Sequence, residues 1–208
     1  MFTGIVQRAC AISTIERREG MIHLTLDLGP ELTAGLERGA SVSIAGTCLT
    51  AIDFDVDAGW ARFDVIAESL RCTTLGELAE GDLVNIERAA RIGDEIGGHL
   101  LSGHIHGVAE VVDVSTPTNN HEVTMRVEPD VARFIFSKGY IALDGCSLTI
   151  VDVDRDASTF SVHLIPETLE RTTFGHRGVG GRINVEVDAQ TLAVVETVDA
   201  TLAARGMG

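Results

Sequence analysis

The chain has 208 residues, 45% of them hydrophobic, so it is long enough for one large domain or two small domains with buried cores. Its formal net charge of −15 argues against a surface for nucleic acid or for an anionic membrane. No apolar run approaches the roughly 20 residues of a membrane-spanning helix, and the start, MFTGIVQRAC, lacks the basic and apolar regions of a signal peptide, which predicts a cytoplasmic protein.

The first half of the chain has the pattern of short strands. Residues 30–39, PELTAGLERG, predict one or two helical turns that end at glycine. Hydrophobic and polar residues alternate through 41–55, and the central glycine of this segment predicts a hairpin with a tight turn or a bulge. The segments 62–67 and 83–87 alternate in the same way, so each predicts a strand.

The second half repeats this order of elements. A short helix is predicted within 129–139, a hairpin over 140–154, and strands over 159–165 and 183–187. Short, evenly spaced strands with little helix are typical of a small Greek-key barrel, and the same pattern also fits a sandwich.

The tail from Ala189 to Gly206 differs from the rest of the chain. It is rich in good helix formers, and a glycine lies just past its predicted end. Its apolar stripe is formed by Leu192, Val195, Val198 and Leu202. Such a stripe is buried either on the barrel or against the same helix of another subunit, and the second arrangement predicts an oligomer.

Sliding the chain against itself by 99 residues reveals an internal repeat. Residues 1–88 and 100–187 are identical at 19 of 88 positions without a gap. The matched pairs include Gly4 and Gly103, Asn85 and Asn184, and Glu87 and Glu186. We therefore predict two copies of one domain. The predicted limits are 1–97 for the N-terminal domain, 98–188 for the C-terminal domain and 189–208 for a C-terminal oligomerisation helix.

The positions at which the copies differ carry most of the reactive groups. The second copy has an imidazole, an amine, a hydroxyl and a carboxylate where the first has a thiol and three groups that transfer no proton. These pairs are Ile5 and His104, Gly39 and Lys138, Cys48 and Ser147, and Ala89 and Asp188. Histidine and aspartate suit acid–base work near neutral pH, so we predict that the second copy is the chemically equipped one.

Several of these residues also have other interpretations. His99, His104 and His106 could bind a metal ion, but no cysteine or carboxylate pair completes a set at a recognisable spacing. Asp188 directly precedes the tail helix and could cap it. Lys138 is the only lysine, and a need for a compact ammonium is one reason to retain it. Free thiols are predicted for the four cysteines, Cys10, Cys48, Cys72 and Cys146.

A set of short motifs lies along nearly the whole chain. In order they are MFTGIV, CLT, VNIERA, GGHLLSGHIHG, KGYIALDG, SLT, LIPETLERTT and INVEVD. Together they resemble the riboflavin synthase α-chain family. This resemblance implies an all-β fold of two six-stranded Greek-key barrels, each binding one lumazine, with a C-terminal helix that helps to form a homotrimer. It also implies a working site between the first barrel of one subunit and the second barrel of its neighbour.

The resemblance further implies the last step of riboflavin biosynthesis. Two molecules of 6,7-dimethyl-8-ribityllumazine dismutate, and one gives a four-carbon unit to the other. The products are riboflavin and 5-amino-6-(D-ribitylamino)uracil. No metal or redox cofactor is implied, and lumazine synthase is a candidate partner. A duplicated barrel suits this reaction, because it provides related pockets for two copies of one substrate and brings the reactants together.

The same resemblance assigns site residues. The catalytic candidates are His104, Ser147, Thr149, Cys48, Asp188, Lys138, Ser41 and Phe2. The pocket of the first copy would use Gly4, Ile5, Val6, Cys48, Leu49 and Thr50, with a strand that carries Ala67, Glu68 and Ser69. The pocket of the second copy would use Gly103, His104, Ile105, Lys138, Ser147, Leu148 and Thr149, with a strand that carries Ile165, Pro166, Glu167 and Thr168.

Two other classes of protein share parts of this pattern. Bacterial lumazine proteins have the double barrel but carry a lumazine or flavin only as an optical antenna. This chain retains His104, Lys138 and the SLT triplet, which favours the enzyme. A flavin-binding barrel of a reductase would need a nucleotide domain, for which 208 residues leave no room. One departure from the family pattern is Ala45, where an asparagine is usual, whereas the second copy has Asp144.

Overall fold

A computed structural model of the chain describes residues 1–116 and 121–206. It contains two closed antiparallel barrels of six strands each, followed by one long helix. The predicted all-β double barrel is therefore confirmed, and the sandwich alternative is wrong. The last two residues of the predicted C-terminal segment, 207 and 208, lie outside the described residues.

The strands of the first barrel follow the order β1-β2-β5-β4-β3-β6, and β6 closes the barrel on β1. They are β1 (Arg8–Arg18), β2 (Met21–Asp27), β3 (Ser41–Ile44), β4 (Thr47–Asp55), β5 (Trp60–Ile66) and β6 (Leu83–Arg88). Two short helices, α1 (Gly29–Thr33) and α2 (Ala67–Cys72), lie outside the sheet. Alternate residues point inward, and Leu24, Phe63 and Ile86 are completely buried in the core.

The second barrel repeats this topology in the order β10-β11-β8-β7-β12-β9. Its strands are β7 (Gly107–Ser115), β8 (His121–Arg126), β9 (Tyr140–Leu143), β10 (Cys146–Asp154), β11 (Thr159–Leu164) and β12 (Arg182–Val187). Its helices are α3 (Pro129–Ala132) and α4 (Pro166–Arg171), and the tail forms α5 (Ala189–Ala204).

Two segments that were expected to be strands are helices. Ala67, Glu68 and Ser69 begin α2, and Pro166, Glu167 and Thr168 begin α4. The preceding strands end at Ile66 and Leu164. Proline at the first helical position explains the second case. Its fixed φ suits a helix start, and an N–H at this position would have no partner within the helix.

Each predicted hairpin turns at its central glycine. Ala45 and Gly46 connect β3 to β4, with φ of 46° and 81°, and Asp144 and Gly145 connect β9 to β10, with φ of 43° and 80°. Two positive φ values are typical of the two-residue turns that match the twist of antiparallel strands. The tight-turn alternative for these segments is therefore confirmed.

A buried asparagine of the first barrel hydrogen-bonds to the backbone of the second. Asn85 in β6 is 2% exposed. Its side-chain oxygen accepts from the Thr173 N–H at 2.8 Å, and its amide group donates to the Asp144 carbonyl at 3.0 Å. Because an amide has both a donor and an acceptor, one side chain pairs two buried backbone groups across the interface.

The matching residue of the second barrel returns the interaction. Asn184 in β12 is completely buried. Its oxygen accepts from the Thr74 N–H at 2.8 Å, and its amide group donates to the Ala45 carbonyl at 2.8 Å. We call Asn85 and Asn184 the crossed asparagines. Loss of either side chain would leave buried backbone groups unpaired, at a cost of about 1–3 kcal/mol for each group.

The long helix α5 lies against the second barrel along only part of its surface. Leu192 packs on the core of that barrel, and Arg133 forms ion pairs with Glu196 at 2.7 Å and Asp199 at 3.0 Å. Of the other residues of the predicted apolar stripe, Val198 is 49% exposed, whereas Val195 and Leu202 are half-buried.

Asp144 is a buried carboxylate at the contact between the barrels. It is 1% exposed, accepts from the Asn184 N–H at 2.9 Å and pairs with Arg177 at 3.1 Å. Burial raises the pKa of Asp144 to about 6, and the Arg177 guanidinium opposes that rise without cancelling it.

This raised pKa predicts a pH-dependent stability. The folded protein binds more protons than the unfolded chain between about pH 4 and about pH 6, so the free energy of unfolding falls as the pH rises through that window. The shift corresponds to about 3 kcal/mol. Asp144→Asn retains an acceptor, tolerates the positive φ and removes the titration. In urea unfolding, we expect the free energy of unfolding of the variant, measured relative to that of the parent, to rise by about 3 kcal/mol from about pH 4 to about pH 7. A difference that does not change with pH would contradict this prediction.

Candidate active site

A cavity of about 190 Å³ lies on the outer face of β10. Leu148 and Ile150 of this strand point into the barrel, so the intervening Ser147 and Thr149 face outward. Ser147 lies at the floor of the cavity, the segment 4–6 forms one wall, and α4 with its flanking residues forms the other. We call this cavity the C pocket.

The wall contributed by the start of the chain belongs to the other repeat. The Ser147 N–H donates to the Gly4 carbonyl at 2.8 Å, and Val6 packs in the core of the second barrel. A Cβ at Gly4 would lie 2.5 Å from the Ser147 Cβ, and Gly4 has φ of +76°. Both the spacing and the φ therefore require glycine at this position.

The reverse contact occurs on the first barrel. The Cys48 N–H on β4 donates to the Gly103 carbonyl at 2.8 Å, and a Cβ at Gly103 would lie 2.6 Å from the Cys48 Cβ. The segment 103–105 thus covers β4 as the segment 4–6 covers β10. From the repeat we expect an equivalent site with Cys48 at its floor, in which α2 with Glu68, Ser69 and Cys72 corresponds to the second wall. We call this region the N pocket.

The expected grouping of the binding residues is therefore wrong. The sequence placed Gly4, Ile5 and Val6 with the first copy and Gly103, His104 and Ile105 with the second, whereas each segment lies on the opposite barrel. The physical reason is that the chain crosses between the barrels before each first strand begins. His104 thus belongs with Cys48, Ser147 belongs with Ile5, and the second copy alone is not the equipped one.

A buried glutamate holds each crossing segment in place. Glu87 accepts hydrogen bonds from the N–H groups of Thr3 at 2.6 Å and Gly4 at 3.1 Å, and Glu186 accepts from the Gly103 N–H at 3.0 Å. Burial raises the pKa of Glu87, while these donors oppose the rise. The repeated asparagines therefore bind directly across the two barrels, and the repeated glutamates hold the segments that cross between them.

Several other candidates border the pockets only in part. Leu49 and Leu148 are 4% and 8% exposed and point into the barrel cores, so only their backbones are available to a ligand. Thr50 pairs with Ser41 across β3 and β4, and its side chain is exposed like that of Thr149.

Phe2 lies between the barrels. Its side chain is completely buried with Leu101 and Ala142, and its N–H donates to the Leu101 carbonyl at 2.9 Å. This burial supports a packing role for Phe2 and leaves no surface of its ring for contact with a ligand.

Asp188 has two structural roles. Its carboxylate accepts from the Thr191 N–H at 2.8 Å and caps α5, as the capping interpretation predicted. It also lines a second cavity of about 510 Å³, which it shares with His99 and Tyr140. We call this the linker cavity, since the linker residue His99 borders it.

The contact between His99 and Ser147 was not predicted from the sequence. The sequence indicated His99 as a candidate metal ligand, but its Nδ1 lies 2.7 Å from the Ser147 Oγ. The GGHL run was visible in the sequence, but nothing in it indicates which strand the linker contacts. Residues 1–116 and 121–206 contain no group of three or more His, Cys, Asp or Glu side chains that could hold a metal ion.

The cysteines are free thiols in the described part of the chain, as predicted. Burial raises the pKa of Cys146 to about 12 and also raises that of Cys10, so both are protonated at neutral pH. None of the described helices is long and apolar enough to cross a membrane.

Comparison with known proteins gives consistent matches. The lumazine binding domain family matches twice, at residues 3–89 and 102–188. The chain is 46% identical over 206 residues to riboflavin synthase of Escherichia coli (strain K12), covering 99% of this chain and 95% of that protein. It is 43% identical to riboflavin synthase of Chlamydia pneumoniae, covering 99% of each. The crystal structure of LumP complexed with riboflavin has a TM-score of 0.83 at 25% identity, covering 90% of this chain and 100% of LumP.

Lys138 is exposed and has φ of +67°, whereas its counterpart Gly39 has φ of +91°. A non-glycine residue at this φ destabilises the folded state by about 1–2 kcal/mol. Glycine removes that strain but destabilises the protein by about 0.4–1 kcal/mol, because it gives the unfolded chain more conformational freedom. We expect Lys138→Gly to unfold at the same or higher urea concentration than the parent, and to bind lumazine more weakly in a fluorescence titration. Lys138→Arg, which retains both strain and charge, is the control. A clear loss of stability in the glycine variant would show that the lysine side chain stabilises the fold.

Proposed function

The chain belongs to the riboflavin synthase family, and from this membership we infer that it forms riboflavin by dismutation of 6,7-dimethyl-8-ribityllumazine. It is a transferase that moves a four-carbon unit from one lumazine to another. The remaining substrate leaves as 5-amino-6-(D-ribitylamino)uracil. The two products contain all the atoms of the two substrates, so the balance needs no external oxidant or reductant.

The pair of crossed pockets is the observation that carries this conclusion. The C pocket and the N pocket have the same backbone plan, with one glycine carbonyl bound to the floor strand in each. Two related sites suit two identical substrate molecules. Their floors and walls nevertheless differ in chemistry, since Ser147 replaces Cys48 and Ile5 replaces His104. Such differences allow one bound molecule to act as donor and the other as acceptor.

We assign the proton transfer to the N pocket. His104 is exposed and directly follows Gly103, whose carbonyl accepts from the Cys48 N–H of β4. Its counterpart in the other copy is Ile5, which has no imidazole. An imidazole is suited to removing a proton from a ring methyl near neutral pH. Cys48 and Thr50 of β4, with Ala67, Glu68 and Ser69 of α2, would hold the lumazine there.

We assign binding of the second lumazine to the C pocket. Ser147 provides a hydroxyl at the floor, and Thr149 lies one outward position further along β10. Glu167 and Thr168 of α4 line the opposite wall. Ser41, Asp188 and Lys138 stay candidates for contacts that complete the site between subunits, and Phe2 acts through packing.

A homotrimer is the assembly that we propose. Apolar side chains are exposed on α5 and beside the C pocket, and Val194, Ile165 and Tyr140 are 63%, 63% and 53% exposed. Packing of neighbouring copies would cover these side chains and place the N pocket of one subunit against the C pocket of the next. Such contact of two bound lumazines provides much of the rate through proximity.

Three further properties are part of the proposal. The reaction runs without a metal or redox cofactor, because the new carbon–carbon bonds are balanced by cleavage of the two carbon–nitrogen bonds that hold the four-carbon unit in the donor, with only proton transfers besides. The protein works in the cytoplasm, where its substrate is made. Lumazine synthase is the candidate partner, since it produces this substrate.

A lumazine-carrying antenna protein is the second candidate function. The likeness to LumP supports it, at 25% identity and a TM-score of 0.83. The synthase relatives are much closer in sequence, at 46% and 43% identity, and they favour the enzyme.

A turnover assay separates the two functions. The purified protein is mixed with 6,7-dimethyl-8-ribityllumazine alone, in the presence of a chelator, and absorbance is followed. We expect riboflavin to appear at half the rate at which lumazine disappears, because two substrates give one riboflavin. Lumazine that stays intact while its fluorescence becomes polarised on the protein would identify a carrier instead.

The assignment of proton transfer to His104 predicts a separation of chemistry from binding. We expect His104→Ala to lower kcat by about 100-fold, the usual scale for loss of a general base, while lumazine affinity in a fluorescence titration changes little. His176→Ala is the control, because His176 is exposed like His104 but belongs to the second barrel. Unchanged turnover in His104→Ala, or an equal loss in the control, would rule out this role.

A further inference from the structure

The linker between the repeats lies directly on the reactive floor of the C pocket. A Cβ at Gly98 would lie 2.6 Å from the Ser147 Cβ and 2.8 Å from its Oγ. Only a glycine permits this approach, and the next residue is His99. The linker thereby brings an imidazole to the side of Ser147 that faces away from the C pocket.

The imidazole of His99 is held in one orientation. Its side chain is 8% exposed, its ring stacks on Tyr140 with centroids 5.1 Å apart and planes 19° apart, and its Nδ1 lies 2.7 Å from the Ser147 Oγ. A ring held on two sides fixes the direction of the hydrogen bond that it makes.

The other ring nitrogen determines which way this hydrogen bond runs. His99 Nε2 is buried and has no hydrogen-bond partner among residues 1–116 and 121–206. His99 lines the linker cavity together with Asp188, and Glu186 also acts on the ring electrostatically. Burial lowers the pKa of His99, and these two carboxylates oppose that change. The ring is therefore neutral near neutral pH and carries one N–H.

Charge favours placing that proton on Nε2. The Asp188 carboxylate acts electrostatically on the ring, and its negative charge favours a proton on Nε2, which has no other partner among the described residues. A bare lone pair on Nε2 would instead be repelled by the same carboxylate. With Nε2 protonated, Nδ1 can only accept, so the single proton of the Ser147 hydroxyl is committed to His99.

We propose that His99 is a positioning residue that accepts the Ser147 hydroxyl proton in a hydrogen bond and turns the oxygen lone pairs of Ser147 toward the C-pocket lumazine. Ser147 then offers the substrate an acceptor, suited to an N–H or ribityl hydroxyl donor. Cys48, at the same place in the N pocket, provides only a weakly accepting sulfur. The two pockets therefore present different groups to identical molecules, and the linker adds to the difference that the substitutions make.

The tautomer of His99 can be measured without reference to turnover. In the full-length protein labelled with ¹⁵N-histidine, NMR distinguishes a protonated ring nitrogen from a bare one. We expect the His99 signals, assigned by their loss in His99→Asn, to report Nε2–H and a bare Nδ1, and the Nδ1 signal to move in Ser147→Ala. An Nδ1–H tautomer would overturn the inference whether or not the proposed function is correct.

A double-mutant cycle tests the consequence for catalysis, which rests on the proposed function. His99→Phe retains an aromatic ring on Tyr140 but removes the hydrogen bond. We expect His99→Phe and Ser147→Ala each to lower kcat/KM by about tenfold, the scale of one lost hydrogen bond to the bound lumazine. In the Ser147→Ala background, His99→Phe should then cost less than about twofold, because the two side chains act as one unit.

Two milder variants guard against loss of folding. Asn places an amide near the position of Nδ1, whereas Gln places it near Nε2, so His99→Asn should retain more activity than His99→Gln at equal melting temperature. A Gln variant as active as Asn, or a full tenfold loss from His99→Phe in the Ser147→Ala background, would overturn the positioning role. An inactive parent protein would instead refute the proposed function and leave the NMR result to decide on His99.

Discussion

Two side-chain amides join the halves of this molecule. Asn85 and Asn184 each pair two backbone groups of the opposite barrel in an interface from which water is excluded, and both are almost completely buried. Neither barrel can satisfy those groups by itself in this geometry. The direction of these hydrogen bonds, as well as the contact itself, therefore fixes the relative placement of the barrels. The hairpin turns at Ala45 and Asp144 are held at the same interface. Everything that crosses between the barrels depends on this alignment.

The sequence indicated the architecture more fully than it indicated the site. The 99-residue offset, the alternating segments and the central glycines predicted two copies of a small barrel or sandwich, each with a tight turn or a bulge at its central glycine. It identified Asn85, Asn184, Glu87 and Glu186 as matched, but not their function, because a repeat shows that positions are equivalent and not what they contact. The asparagines bind the opposite copy, and the glutamates bind the crossing segment of their own copy. Local pattern also gave α2 and α4 as strands, since the apolar alternation of β5 and β11 gives no sign of stopping at Ile66 and Leu164.

The sequence assigned each pocket to residues of a single copy, whereas the contacts cross between the copies. Gly4 and Gly103 were matched to the strands of their own copy, although each contacts the floor of the other. Burial of Phe2 depends on tertiary packing that no local pattern encodes, whereas capping by Asp188 is a local contact that the sequence did indicate. His99 is the clearest case, because it lies outside the aligned repeat and has no counterpart in the first copy. Asymmetry between two duplicated pockets can thus come from the segment that joins them as well as from substitutions within them.

The crossing of the segments before each barrel also bears on synthesis at the ribosome. The first barrel can close its own sheet once residue 88 has emerged, because β6 pairs with β1 and β3. Its leading segment, however, has to wait for β10, and its own floor strand β4 has to wait for Gly103. Neither pocket is therefore complete in a half-made chain, since ordering these long-range contacts requires the second repeat. The walls that the segments 4–6 and 103–105 provide are therefore completed together, after the second barrel has formed.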